Sequence, residues 1–374
     1  MRILVVIGTR PEAIKMAPIV LALRGTYGVD VRVCLTAQHR DMLDDVVRTF
    51  ALPVSYDLDL MTPGQTLTQV AVGVLEGIDA LLAAEPFDWV LVQGDTTTSL
   101  AAAQAAFHRG VRVGHVEAGL RTWNSREPFP EEWNRRAIDA LTDLAFAPTE
   151  RARENLLAER IPSERILLTG NTAIDALRIG LASSPTPSLE ELAGPMAGRR
   201  MILVTAHRRE SFGAPFEQII QALQMLADRE GARGVHLVYP VHPNPNVQGP
   251  VRRALSGRPN VTLLPPVDYL RFVHLLQRAW LVLTDSGGVQ EEAPGLGKPV
   301  LVLRERTERP EAIEAGTARL VGTSATRIVA EVDRLFDDPA AYAAMATAQN
   351  PFGDGYAAER IVRALLDAPG DRSA

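Results

Sequence analysis

Charged side chains recur in this chain just where an apolar run has ended. Arg10 and Lys15 lie in 8–18 (GTRPEAIKMAP), directly after 2–8 (RILVVIG). Gly8 permits a tight turn and Pro11 suits a helix start, so backbone N–H groups and two cations together suit an anion. Asp95 follows 88–93 (DWVLVQ) in 94–98 (GDTTT), where three threonines can cap a helix. Glu117 follows 111–116 (VRVGHV) among small residues that leave room for a ligand. Glu131, Asn134 and Arg135 lie in 128–136 (PFPEEWNRR), with Glu131 and Arg135 on one helical face. Three carboxylates at element ends can do acid–base work if their surroundings push their pKa values apart. The plain alternatives are a helix cap at Asp95 and a solvated ion pair at Glu131 and Arg135.

The second half offers cations and a glycine turn. His207 (in TAHRRESFG, 205–213) and His242 (in YPVHPNP, 239–245) each follow an apolar run. In 284–292 (TDSGGVQEE), Ser286, Gly287 and Gly288 present backbone N–H groups at a helix start, which makes a phosphate cradle. Glu292, one turn on, suits the hydroxyls of a ribose. Arg309, ahead of Pro310, is a further anion contact. G-x-G-x-x-G, the Walker loop, H-E-x-x-H and any cysteine cluster are missing, and Cys34 is the only cysteine. No nicotinamide and no metal is therefore expected, and a nucleoside-diphosphate ligand, such as a nucleotide-sugar, fits.

These residues need a scaffold of strands. Apolar runs at 2–8, 31–36, 88–93, 111–116, 143–147 and 166–169 alternate with helical segments such as 66–84 and 97–108. A Pro/Ser/Gly-rich stretch at 183–199 reads as a surface connection. The alternation restarts at 201–206, 235–240, 261–264, 280–284, 299–303 and 319–321, and 357–367 is a last amphipathic helix. This pattern predicts an α/β fold of two Rossmann-like domains, with ligands beyond the carboxyl ends of the strands in a cleft between them. A length of 374 residues agrees with two domains, since single cores rarely exceed roughly 250–300 residues. With 46% hydrophobic and 22% charged residues the chain is not a disordered one, and a net charge of −6 disfavours nucleic acid as a partner. The N-terminal apolar run Ile3–Ile7 is too short for a signal peptide or a membrane span, so no membrane and a cytoplasmic protein are expected.

The strings GTRPEAIKMAP, TAQHRDML, GDTTT, HVEAGLRT, HRRESFG, TDSGGVQEEAPGLGKPVL and TERPEA, in this order from about Ile3 to about Leu366, resemble the bacterial non-hydrolysing UDP-N-acetylglucosamine 2-epimerases. The resemblance implies a glycosyltransferase-B-like homodimer with domains at 1–170 and 171–355, and a C-terminal helix at 356–374 returning to the first. It implies conversion of UDP-GlcNAc to UDP-ManNAc, by elimination of UDP to 2-acetamidoglucal and re-addition. By the same resemblance Asp95, Glu117 and Glu131 are the acid–base residues. Arg10, Lys15, Arg135 and His207 stabilise charge around the diphosphate. Ser286, Gly287 and Gly288 hold the phosphates, Glu292 the ribose and Arg309 the nucleotide, with Phe272 near uracil. Gln38, His39, Arg40, Gln65, Gln69 and His242 match the regions where many members bind a second UDP-GlcNAc as activator. Two departures stand out: Val267 replaces a common glutamine near the base, and 122–130 (TWNSREPFP) differs from the commoner aromatic-rich loop. The rival readings are a retaining glycosyltransferase of the same fold, the hydrolysing relative that releases ManNAc and UDP, and a non-catalytic sugar-nucleotide sensor.

Overall fold

Continuous aliphatic runs suit strands buried on both faces of a parallel sheet covered by helices, and two such sheets form here. The fold is that of a computed structural model describing residues 1–36, 40–62, 64–183, 187–196, 198–228 and 234–368, without the side chains of 40–42. It divides into two compact units, Met1–Ile179 with Phe352–Ala374, and Gly180–Pro351.

The first unit has seven strands: β1 (Arg2–Ile7), β2 (Asp30–Leu35), β3 (Val54–Asp57), β4 (Trp89–Gln93), β5 (Arg112–Val116), β6 (Leu144–Ala147) and β7 (Ile166–Leu168). All pair in parallel, in the order β3-β2-β1-β4-β5-β6-β7. The order reverses between β1 and β4, which is where such sheets bind ligands. Leu4, Val6, Val90, Val92 and Val113 form the core with Val70, Val74, Ile78 and Leu82 of helix Leu67–Ala84. That helix is long and apolar enough by length and composition to cross a membrane, a test the N-terminal run alone does not meet. The sequence pattern missed β3, an edge strand whose residues are mostly exposed and so carry no apolar run.

The second unit has six parallel strands: β8 (Arg200–Thr205), β9 (Val235–Pro240), β10 (Val261–Leu264), β11 (Leu281–Thr284), β12 (Val300–Val302) and β13 (Ala318–Leu320). Their order is β10-β9-β8-β11-β12-β13, so the reversal falls between β8 and β11.

The division lies later than the expected 170/171, and the C-terminal return starts earlier than 356. The cause is a set of bonds from the start of helix Thr172–Ser183. Asn171 N–H donates to the Phe352 carbonyl at 2.7 Å, and Arg178 Nε donates to the Gly355 carbonyl at 3.0 Å. Asp175 accepts from the N–H groups of Ala357 and Ala358, tying down helix Ala357–Asp367. The stretch 183–199 is more than a surface connection. Ser188 and Glu191 form a capping box for helix Leu189–Ala193, which buries Leu192 and Ala193, and Met196 is buried just beyond.

Candidate functional site

In the first unit the chemistry gathers at the ends of β1, β4 and β5. After β1 the chain turns at Gly8, where a Cβ would lie within 2.9 Å of the Thr98 side chain, so only glycine lets the two segments approach. Thr9 caps helix Arg10–Arg24 in a capping box with Glu12. Glu12 accepts from the N–H groups of Gly8 and Thr9 and from the Thr96 hydroxyl at 2.6 Å. It is buried with no cation partner in these bonds. Burial pushes its pKa up to about 7, against the pull of those hydrogen bonds and with a smaller push from Asp95.

Asp95 is not the helix cap: Thr96 caps helix Thr97–His108, accepting from Ser99 N–H at 3.1 Å. The Asp95 carboxylate instead takes Arg135 Nη2 at 2.6 Å, and its carbonyl takes Asn134 Nδ2 at 2.9 Å. Glu117 stands at φ 67°, an unusual backbone for a non-glycine residue at a strand end. Its carboxylate is paired with Lys15, both side chains largely buried, and accepts from Asn171 Nδ2 at 3.3 Å. Because Gln93 and Val116 are register partners on β4 and β5, Asp95 and Glu117 leave the sheet at neighbouring strand ends.

Glu131 and Arg135 do not form the i,i+4 ion pair that is the plain alternative to a functional role. Arg135 turns to Asp95 and, at 3.5 Å, to Glu132. Glu132, fully buried, accepts from the N–H groups of Thr122 and Trp123 at 3.0 Å each and so fixes the preceding loop. The side chains of Glu131 and Arg10, both half-buried, make no hydrogen bond or ion pair among the described residues.

In the second unit Asp285, fully buried after β11, accepts from the N–H groups of His207 and Arg208 at 2.8 Å each and holds the turn after β8. The His207 ring stacks on His242, with centroids 5.1 Å apart. Burial, then the neighbouring His207, lowers the pKa of His242. In the sequence these histidines stand 35 residues apart after separate strands, but in the fold they adjoin. Ser286 N–H is not available to a phosphate, because it donates to Thr284 Oγ1 at 2.9 Å. Gly287 and Gly288 open helix Gly287–Gly295, and first-turn N–H groups have no intrahelical acceptor. A Cβ on Gly287 would lie 3.5 Å from Arg208 Nη2 and 3.7 Å from Arg309 Nη2, so two guanidinium groups converge on this helix start. Arg309 is steadied by Glu291 through its Nε, and its loop by the Thr307 hydroxyl bonded to Gln290 at 2.6 Å. Glu292 is buried one turn along, and Phe272 is half-buried on helix Tyr269–Arg278.

Of the expected activator residues, Gln38, His39 and the Arg40 side chain lie outside the described residues. Gln65 donates to the Leu60 carbonyl at 2.6 Å. Gln69 closes a capping box with Thr66, accepting from its N–H at 2.9 Å. Glu12, Glu132, Arg208 and Asp285 were not singled out from sequence. Strand-end position is the signal that could find the last two, and the Thr-x-x-Glu spacing of Thr9 and Glu12 is the one for Glu12.

Two doubly wound parallel sheets, one with paired carboxylates at its strand ends and one with a helix start under two arginines, define a two-Rossmann, glycosyltransferase-B-like protein. The family model described as UDP-N-acetylglucosamine 2-epimerase matches residues 21–366. A Salmonella typhimurium protein named UDP-N-acetylglucosamine 2-epimerase is 54% identical over 371 residues, 98% of each chain. The structure of the Neisseria meningitidis UDP-GlcNAc 2-epimerase bound to UDP-GlcNAc matches with a TM-score of 0.89 at 45% identity, over 98% of this chain and 100% of that one. An S. aureus MnaA–UDP co-structure matches with a TM-score of 0.89 at 42% identity, over 100% of this chain and 99% of that one. The chain belongs to the UDP-N-acetylglucosamine 2-epimerase family.

Proposed function

We propose that this protein interconverts UDP-GlcNAc and UDP-ManNAc by inverting C2 of the sugar. C2 has no neighbouring carbonyl, so its proton is not removed by simple enolisation. In the proposed route a carboxylate takes the C2 proton while the C1–O bond breaks, its electron pair leaving on UDP. The C1=C2 bond of 2-acetamidoglucal forms. UDP then adds back through oxygen to C1 while a carboxylic acid returns a proton to the opposite face of C2. No net oxidation occurs, so no redox cofactor is needed.

The observation that carries this reading is the pair of carboxylates at neighbouring strand ends, Asp95 with Arg135 and Glu117 with Lys15. Asp95, Glu117 and Glu131 serve as acid and base, and Arg10, Lys15, Arg135 and His207 balance charge at the diphosphate. In the second unit Gly287, Gly288 and Arg309 hold phosphate, with Ser286 shaping the turn. Glu292 meets the ribose and Phe272 the uracil. A second UDP-GlcNAc binds as activator through Gln38, His39, Arg40, Gln65 and His242; the capping role of Gln69 argues against including it. The protein acts in the cytoplasm as a homodimer, as its likeness to the family suggests.

Incubation with UDP-GlcNAc alone tests the reading. UDP-ManNAc as the product supports it. Free ManNAc with UDP indicates the hydrolysing reaction, and turnover only with an added acceptor indicates a transferase; either result overturns it.

A further inference from the structure

Behind the Gly94–Asp95 turn lies a buried ionic chain whose geometry fixes a protonation state. His115, on β5, is fully buried. Its Nδ1 is 2.6 Å from Asp139 Oδ1, and its Nε2 is 2.7 Å from the Gly94 carbonyl oxygen. A carbonyl oxygen can only accept. Asp139 also only accepts: its other oxygen takes Arg121 Nη2 at 2.6 Å and Gly119 N–H at 3.3 Å. Burial alone would raise the Asp139 pKa, but His115 and Arg121 outweigh it and hold this carboxyl below its ordinary value. A neutral imidazole has one donor and one lone pair, and either tautomer would aim that lone pair at an oxygen lone pair.

We infer that His115 is a buried imidazolium that donates from both ring nitrogens and acts as a positioning residue for Asp95. The chain continues past Asp139: Arg121 Nη2 also lies 2.6 Å from Glu159, and at the rim Arg136 Nε lies 2.8 Å from Glu159 Oε1.

The consequence falls on the turn after β4. The Gly94 N–H donates to the Val116 carbonyl at 3.0 Å, and its carbonyl accepts from His115. Asn134 holds the next carbonyl and Arg135 the Asp95 carboxylate. Four bonds thus fix the reacting carboxylate, and the imidazolium anchors the peptide just before it. A displacement of about 1 Å at a reacting group can cost a hundredfold in rate. The positioning role rests on the function proposed above; the protonation state does not.

The experiment is ¹⁵N NMR of the full chain with ¹⁵N-labelled histidine rings at neutral pH. His115 is assigned among the seven histidines from the signal lost in His115→Gln. Two protonated ring nitrogens are expected in the unmodified protein, and one of them should lose its proton in Asp139→Asn. His115→Gln should keep its UDP affinity and its KM for UDP-GlcNAc, while kcat falls about ten- to a hundredfold. One unprotonated ring nitrogen in the unmodified protein overturns the inference, as does wild-type kcat in His115→Gln. If His115→Gln does not fold, through-bond correlation assigns His115 and the ring signal decides alone. If the unmodified protein does not turn over UDP-GlcNAc, the proposed function fails while the ring signal can still be read.

Discussion

The two units present their strand ends to chemistry in different ways. In the first, each central carboxylate is locked to a cation from a distant part of the chain: Lys15 to Glu117, and Arg135 to Asp95. In the second, the groups proposed to bind phosphate are backbone N–H donors at Gly287 and Gly288 with guanidinium groups above them, and the buried carboxylate Asp285 only shapes a turn. The same doubly wound topology thus supplies charged side chains with defined orientation in one unit, and a fixed partial-positive helix end in the other. The proposed proton transfer uses the former, and the proposed hold on the phosphates uses the latter together with cations of the first unit.

The largest effect expected from breaking this contrast is on the first unit. Asp95→Asn and Glu117→Gln should each lower kcat by between a hundred- and ten-thousandfold, roughly the worth of an acid or base, with UDP affinity by calorimetry unchanged. Glu131, which lacks a cation partner among the described residues, is tested alongside by Glu131→Gln. A loss below about tenfold removes it from the acid–base set.

Glu12 sharpens the contrast because it is held by hydrogen bonds and not by a cation. Its carboxyl is raised from 4.5 to about 7 in the fold, so between these values the folded state binds the proton more tightly than the unfolded chain. That stabilisation is complete below pH 4.5 and lost as pH rises through 7, a change of roughly 3 kcal/mol at most. Glu12→Gln should flatten this part of the stability–pH curve in denaturant titrations. An unchanged slope would show that Glu12 is ionised throughout.

A smaller effect belongs to the second unit. Arg309→Met removes one charge-assisted donor above the helix start and should weaken UDP binding about tenfold by calorimetry. It should leave the carboxylate-dependent step intact once UDP-GlcNAc is saturating. A kcat loss as large as that of Asp95→Asn would erase the proposed division of labour.

The smallest effect concerns Gln69. As a capping-box residue, its replacement by Ala should cost about 1 kcal/mol or less in stability and leave the dependence of rate on UDP-GlcNAc unchanged. An altered dependence of rate on UDP-GlcNAc in Gln69→Ala, with unaltered Tm, would return it to the activator site.

The strands were readable wherever they are buried on both faces, since Ile3–Ile7 and Val300–Val302 are continuous aliphatic runs. Strand β3 was not, because a half-solvated edge needs no such run. The division of the chain was displaced because its position depends on Asp175 and Asn171 reaching across to Ala357, Ala358 and Phe352, pairings that no local pattern encodes. In the site, Asp95 and Glu117 could be found because strand-end position is a sequence property. Their partners could not: Arg135 shares a helical face with Glu131, yet turns to Asp95, 40 residues away. His115 sits in a strand and reads as one more inward residue, until Asp139 and Gly94 are seen on either side of its ring.

The central claim is that carboxylates of the first unit move a proton at C2. An NMR time course of UDP-GlcNAc with the enzyme in deuterated water tests it most directly. UDP-ManNAc carrying solvent deuterium at C2 is the expected product, and this exchange should disappear in Asp95→Asn or Glu117→Gln while UDP still binds. Formation of UDP-ManNAc that retains the original C2 hydrogen would contradict it.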